Sequence, residues 1–183
     1  MIQPPEVWLR GPVPGIQSSL QPVAHALLQV AEEIPPVLQS LSPDQLWARP
    51  GGSASIGFHA AHLAGSLGRL FTYARGEGLS ADQRRALAAE RTIGALRPPA
   101  TWLLDRLTTS LDVALDELRR VSPAALLEPR DVGRARLPST TLGLLFHAAE
   151  HAARHAGQIL TLARVVQGAG QDHGSATTRT PGS

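Results

Sequence analysis

The sequence of 183 residues contains no cysteine and no lysine, and each absence excludes classes of protein. Without cysteine there is no disulfide scaffold, no cysteine-ligated zinc site, no iron–sulfur cluster and no cysteine nucleophile. All seventeen basic side chains are arginine. Any metal site, and any acid or base that titrates near neutral pH, must therefore be built from histidine, aspartate or glutamate.

The high isoelectric point, about 10.3, does not indicate a nucleic-acid-binding protein. The formal net charge is only +2, and with no lysine, no cysteine and one tyrosine almost nothing titrates between neutral pH and the arginine range. No apolar run reaches the roughly 18 residues of a membrane span, and the N-terminus lacks the pattern of a secretory signal. We therefore expect a soluble cytoplasmic protein that binds neither nucleic acid nor membranes.

Apolar residues recur at helical spacing along most of the chain, and no segment has the pattern of a strand. The spacing predicts four long helices, over about residues 15–34, 53–75, 98–121 and 140–167. The third of these is predicted to bury a stripe made of Trp102, Leu103, Leu107, Leu111, Leu115 and Leu118. Four such helices predict an all-α fold, a four-helix bundle with a long first connection and an extra short helix.

Capping and helix-breaking residues set the predicted ends of these elements. Pro35 and Pro36 are predicted to end the first helix, because proline disrupts a helix interior. Ser42 is a candidate cap for a short helix, and Ser80 with Gln83 forms a capping box for another that runs to about residue 96.

The composition between and beyond the helices predicts the domain organisation. Residues 122–139 contain proline, glycine and arginine and are predicted to form a loop. We expect an N-terminal extension over 1–14, one helical domain over 15–167 and a disordered tail over 168–183, which is rich in glycine, serine and threonine.

The histidines are the strongest functional signal, since five of the seven lie in two windows, 59–62 and 147–155. His151 and His155 are four residues apart, so they lie one turn apart on one helix face. They belong to a stripe with core-facing spacing, made of Leu144, Ala148, His151, His155, Gln158 and Leu162. Two imidazoles placed in this way can bind one divalent ion, and His59 or His62 of the second helix could supply a third ligand.

Other interpretations of the same histidines were weighed. Residues 147–151 match the H-x-x-E-H pattern of inverted zincins, with Glu150 as the base, but the further carboxylate that such enzymes need downstream is missing. No glutamate begins a Glu-x-x-His pair, which excludes a di-iron carboxylate bundle. A single histidine such as His25 or His173 is better explained as a hydrogen-bonded side chain without a ligand.

Two motifs resemble the DinB/YfiT-like superfamily. The segment SIGFHAAH at 55–62, with YARG at 73–76, resembles the second helix of that family, and HAARHAGQ at 151–158 resembles its last-helix signature. The upstream LWARPGG at 46–52 also fits, and the resemblance covers about 15–167. Ala156 departs from the pattern, because arginine is usual before the Gly-Gln pair.

The resemblance implies a bundle, often a homodimer, that binds one divalent metal ion (zinc, nickel or iron) through three histidines. By position these are His62, His151 and His155; His62 matches rather than His59, because the family histidine lies seven residues after the serine of 55. His59 and His147 are additional histidines next to this set.

Characterised relatives in the resembled family include thiol-S-transferases that use low-molecular-weight thiols and a mycothiol-dependent isomerase. The leading hypothesis is therefore a metal-dependent enzyme of the thiol-S-transferase or hydrolase kind, with a low-molecular-weight thiol or another small molecule as substrate. The alternative is a non-catalytic dimeric helical module with a structural metal or a hydrogen-bonded histidine cluster.

Overall fold

The computed structural model describes residues 4–172, with side chains described through residue 168. In chain order the helices are α1 (Gln21–Ser40), α2 (Pro43–Trp47), α3 (Ile56–Ala74), α4 (Ala81–Glu90), α5 (Ile93–Leu96), α6 (Ala100–Arg120) and α7 (Thr141–Asp172). The long helices α1, α3, α6 and α7 confirm the predicted all-α four-helix bundle, and α2 lies in its long first connection. Among the described residues, no helix combines the length and the apolar character that crossing a membrane requires.

Helices α1 and α3 each pack against both α6 and α7, which is the arrangement of a four-membered bundle. The core between them consists mainly of leucine and isoleucine side chains. The largest fully buried ones include Leu20, Leu27, Ile34, Leu38, Ile56, Leu63, Leu67, Leu103, Leu107, Leu111 and Leu118. Trp102 is an exception to its predicted stripe, because 38% of its surface is exposed.

Serine caps are present at three helix starts, and those at Ser42 and Ser80 were predicted. Ser42 with Gln45 and Ser80 with Gln83 each form a complete capping box. The Ser55 side chain accepts a hydrogen bond from the backbone N–H of residue 58, so α3 begins directly after it. The helix predicted to follow Ser80 is divided in two, α4 and α5, by a break at residues 91–92.

The prediction that Pro35 and Pro36 end the first helix is wrong, since α1 continues through both to Ser40. Ile34 and Leu38 lie one turn apart and are both fully buried. Burial of each is worth about 1.5–3 kcal/mol, which is comparable with the roughly 3 kcal/mol cost of a proline inside a helix. The core-facing stripe therefore continues past the prolines.

A β-hairpin replaces part of the loop that was predicted for residues 122–139. Strand β1 (Pro129–Val132) pairs antiparallel with strand β2 (Leu137–Thr140), and Val132 is opposite Leu137 in the register. Both strands are four residues long and contain no fully buried residue. They consequently lack the alternation of apolar and polar residues by which a strand is predicted from sequence.

At both chain ends the structure shows features that the sequence did not predict. The backbone N–H of Val7 donates to Gln29 Oε1 over 2.9 Å, and Arg10 forms an ion pair with Glu32, so the predicted extension packs along α1. Helix α7 continues five residues past the predicted end of the last helix. The remainder of the predicted tail, residues 173–183, lies outside the described residues, and the domain boundaries stay a prediction.

Candidate metal centre

The histidine-bearing helices α3 and α7 lie side by side and run in opposite directions. His59, near the start of α3, contacts His155, whereas Ser66, about two turns later, contacts His151. Many of the core-facing residues of α7 are small, among them Ala148, Ala149, Ala152, Ala156 and Ala163. Small side chains let the two helices approach closely, and the histidines at the edge of this contact face one another.

Three of the predicted site residues form a cluster. His62, His151 and His155 each offer a ring nitrogen, and these atoms all lie within 4.8 Å of one another. The ring centroids are 5.3 Å apart for His62 and His151, 4.8 Å for His62 and His155, and 4.5 Å for His151 and His155. Zinc–nitrogen bonds of about 2.0–2.1 Å put tetrahedral ligand nitrogens roughly 3.4 Å apart. Small side-chain adjustments would bring the three nitrogens to that spacing.

The His62 ring is oriented by a carboxylate from α4. His62 Nδ1 lies 2.8 Å from Glu90 Oε2, and Arg69 donates to both oxygens of the same carboxylate. An ionised carboxylate only accepts hydrogen bonds, so His62 donates from Nδ1, and in the neutral ring the lone pair is then on Nε2. The ring also stacks on Phe58, with 5.6 Å between centroids.

The other two rings of the cluster, like His62, each have a hydrogen-bond partner at Nδ1. Ser66 Oγ donates to the backbone oxygen of Leu63 over 3.0 Å and lies 3.3 Å from His151 Nδ1, from which it can accept. His155 Nδ1 lies 3.0 Å from His59 Nδ1. When His155 donates in that pair, all three cluster histidines carry the proton on Nδ1. Their Nε2 lone pairs are then free for a common ligand.

Burial lowers the pKa of three histidines in and beside the cluster, His59, His151 and His155. Desolvation, followed by repulsion from neighbouring His62, lowers the pKa of His59. Desolvation also lowers the pKa of His151, and desolvation with repulsion from His151 and His62 lowers the pKa of His155 to about 4. Neutral imidazole is the form that binds a metal ion, so the electrostatics of the cluster fit a cation site.

Glu90 and Arg69 adjoin the cluster, and no sequence pattern predicted either of them. Burial alone would raise the pKa of the Glu90 carboxyl, but hydrogen bonds from His62 and Arg69 outweigh it, and the pKa lies below its usual range. Arg69 is itself buried, at 8% exposure. A side chain on Gly65 would overlap Glu90 Oε1 and approach Arg69 Nη1 to 2.8 Å, so the absence of one makes room for this ion pair.

The remaining histidines lie outside the cluster. The exposed His147 contacts Glu150 at 3.4 Å, and Glu150 also pairs with Arg154. This arrangement does not support the inverted-zincin interpretation, in which His147 would be a ligand. His25 Nε2 lies 3.0 Å from the backbone oxygen of Gly11, as expected of a hydrogen-bonded histidine. His173 lies outside the described residues.

Gln158, a residue of the predicted core-facing stripe of α7, does not face the core. Gln158 is exposed rather than core-facing, because Ala156 and Ile159 occupy the buried face of that turn. Together with His59 and Arg154 it lines an open groove of about 500 Å³ beside the cluster. No fourth histidine, aspartate or glutamate of the described residues joins the three histidines.

The chain matches the family model of the DinB superfamily over residues 26–159. Its structure is similar to the crystal structure of a protein from Exiguobacterium sibiricum 255-15 that is assigned to the DinB family, with a TM-score of 0.62 and 19% identity. The similarity covers 91% of this chain and 98% of the other, and at this identity it shows a shared fold. No curated protein matches the chain.

Proposed function

The chain belongs to the DinB superfamily, and from this premise we propose that it binds one divalent metal ion through His62, His151 and His155. We further propose that it is a metal-dependent enzyme of the thiol-S-transferase or hydrolase kind. The observation that supports the first step is the set of partners at Nδ1: when each of the three rings donates there, its Nε2 lone pair is available for a common ion. Imidazole ligands suit zinc, nickel and iron alike.

The set of three histidine ligands favours a catalytic metal site over a purely structural one. Structural zinc sites have four protein ligands, whereas catalytic sites have three and keep an open position. A divalent ion at such a site supplies a Lewis acid that lowers the pKa of a bound water or thiol. Because the chain has no cysteine, a thiol that takes part must come from a small molecule.

The residues around the cluster would hold it in a fixed geometry. Glu90, with its charge balanced by Arg69, fixes the orientation and tautomer of His62. Ser66 and His59 do the same for His151 and His155. The expected homodimer and the cytoplasmic location stay predictions.

Metal content is the direct test of the proposed site. Protein purified without a histidine tag, from cells grown without added metal, is expected to contain about one zinc, nickel or iron ion per chain by elemental analysis. His151→Ala should abolish this content, whereas His25→Ala should retain it, because His25 lies outside the cluster and contacts Gly11. Equal metal in the His151→Ala and wild-type proteins would overturn the proposal.

A structural role is the second candidate, and the hydrogen bonds that connect the rings to Glu90, Ser66 and His59 favour it. Thermal melting with and without a chelator separates the two. If the metal ion is structural, chelation should lower the melting temperature of the protein substantially. A catalytic site should remain folded and lose turnover of a thiol or ester substrate.

A further inference from the structure

A second cavity, adjacent to the histidine cluster, lies between α3, α4, α5 and α6. Its volume is about 390 Å³, within the range of small-molecule sites. The lining is mostly apolar and includes Ala86, Ala89, Ile93, Leu96 and Trp102, with Arg106 as the cation. Glu90 also lines it, so the cavity and the histidine cluster share one side chain.

The cavity exists because α4 does not pack tightly onto the bundle. None of the residues of α4 is buried, and the helix presents alanines where larger side chains would fill the space. It is anchored by polar contacts, Gln83 Nε2 to Thr72 Oγ1 over 2.7 Å and Glu90 to Arg69. These anchors, one near each end of the helix, prevent α4 from collapsing into the gap.

The opposite wall is also fixed in place. The Trp47 indole N–H donates to the backbone oxygen of Pro98, a lining residue, over 3.2 Å. Two large apolar side chains remain accessible at this wall, Leu96 with 74% and Trp102 with 38% of their surface exposed. Exposed apolar surface around a preformed cavity is typical of a ligand site, because a ligand removes that surface from water.

The charges of the cavity indicate which ligand would fit. The guanidinium carbon of Arg106 lies 4.7 Å from the centre of the Trp102 ring. Among the described residues no acidic side chain forms an ion pair with Arg106. A cation–π contact uses no hydrogen-bond acceptor, so the guanidinium N–H groups stay available for two parallel hydrogen bonds to a carboxylate. The charge of Glu90 is already balanced by Arg69 and does not oppose an anion.

We propose that this cavity binds a small amphiphilic carboxylate, with its aromatic or branched apolar body against Trp102 and the alanines and its carboxylate on Arg106. This site goes beyond the proposed function and requires no metal ion. It is therefore tested on the full-length, chelator-treated protein, so that failure of the metal proposal does not affect the outcome.

Calorimetric titration with phenylbutyrate, and with the neutral phenylbutyramide as its analogue, tests the role of the charge. The acid should bind about tenfold more tightly than the amide, and Arg106→Gln should remove that difference. Arg120→Gln is the matched control, because Arg120 is also exposed on α6 but does not line the cavity. The proposal is overturned if the acid does not bind at millimolar concentration, or if Arg106→Gln binds it as wild type does.

A second pair of variants tests the location independently. Ala86→Phe should fill the cavity and weaken binding of acid and amide alike. Bound phenylbutyrate should also change the tryptophan fluorescence of Trp47→Phe, but not that of the Trp47→Phe/Trp102→Phe double variant, in which Trp8 is the remaining tryptophan. Unchanged affinity in Ala86→Phe, or a fluorescence change that persists in the double variant, would place the ligand elsewhere and contradict the proposed site.

Discussion

Glu90 Oε2 lies 2.8 Å from His62 Nδ1, although the two residues are 28 positions apart in the chain and belong to different helices. The contact connects α4, which has no buried residue, to the histidine cluster between α3 and α7. In a metal-binding histidine, a carboxylate that accepts a hydrogen bond from the ring nitrogen not bound to the metal orients the ring and raises its basicity. The short helix α4 thereby contributes to the proposed metal centre without providing a ligand.

Glu90→Gln is expected to weaken zinc binding by about 10–100-fold, because the glutamine can still accept a hydrogen bond but has lost the charge. Competition with a chelating dye measures the affinity. Nitrogen chemical shifts of His62 should show a larger share of the Nε2-protonated tautomer in the metal-free variant. Glu33→Gln, an exposed change on α1, is the control, and equal zinc affinity in the two variants would contradict this role for Glu90.

Gly65→Ala and Gly68→Ala form a matched pair on α3. A Cβ at residue 68 contacts nothing within 4 Å, so Gly68→Ala should stabilise the helix by about 0.5–1 kcal/mol. A Cβ at residue 65 overlaps the Glu90 carboxylate, so Gly65→Ala should lose that gain and displace Glu90 from His62. Thermal melting and zinc titration should both separate the two variants. Equal melting temperatures would show that Glu90 moves aside at no cost.

Local patterns predicted the helices and the pairing of His151 with His155, because both depend on spacing within one helix. His151 and His155 lie one turn apart wherever α7 is placed, and residues Ser42, Ser55 and Ser80 cap the helices that follow them. The third histidine, His62, came from the family resemblance rather than from spacing. Metal binding by the three stays a prediction.

What could not be predicted depends on contacts between distant parts of the chain. Nothing near Glu90 in the sequence shows that α4 would bring it to Arg69 and His62. The continuation of α1 through Pro35 likewise depends on the core into which Leu38 packs. The hairpin was not predicted because its strands are short and have no buried face. The sequence therefore lacks the alternation of apolar and polar residues that would indicate strands here.

Gly57→Ala is expected to destabilise the protein by about 1–3 kcal/mol through overpacking. A Cβ at this position would lie 2.6–2.8 Å from three atoms of the Trp47 ring, which is buried and held at Pro98. Urea denaturation measures the free energy of unfolding. In the Trp47→Phe background the smaller ring should relieve the overlap, so the same glycine change should cost less. Additive effects in the double variant would contradict the contact as the cause.

His59→Ala and His147→Ala should have different effects on zinc binding, although both residues adjoin the cluster. His59 is buried and its Nδ1 lies 3.0 Å from His155 Nδ1, so its removal takes away the partner that orients His155. We expect about tenfold weaker zinc binding for His59→Ala. His147 is exposed and pairs with Glu150 at the solvent side, so His147→Ala should change the affinity by less than about twofold.

Dye competition measures both affinities, and circular dichroism checks that each variant is folded. If His147→Ala had the larger effect, the ion would lie one turn toward the start of α7, between His147 and His151, and the assignment of His155 as a ligand would be wrong.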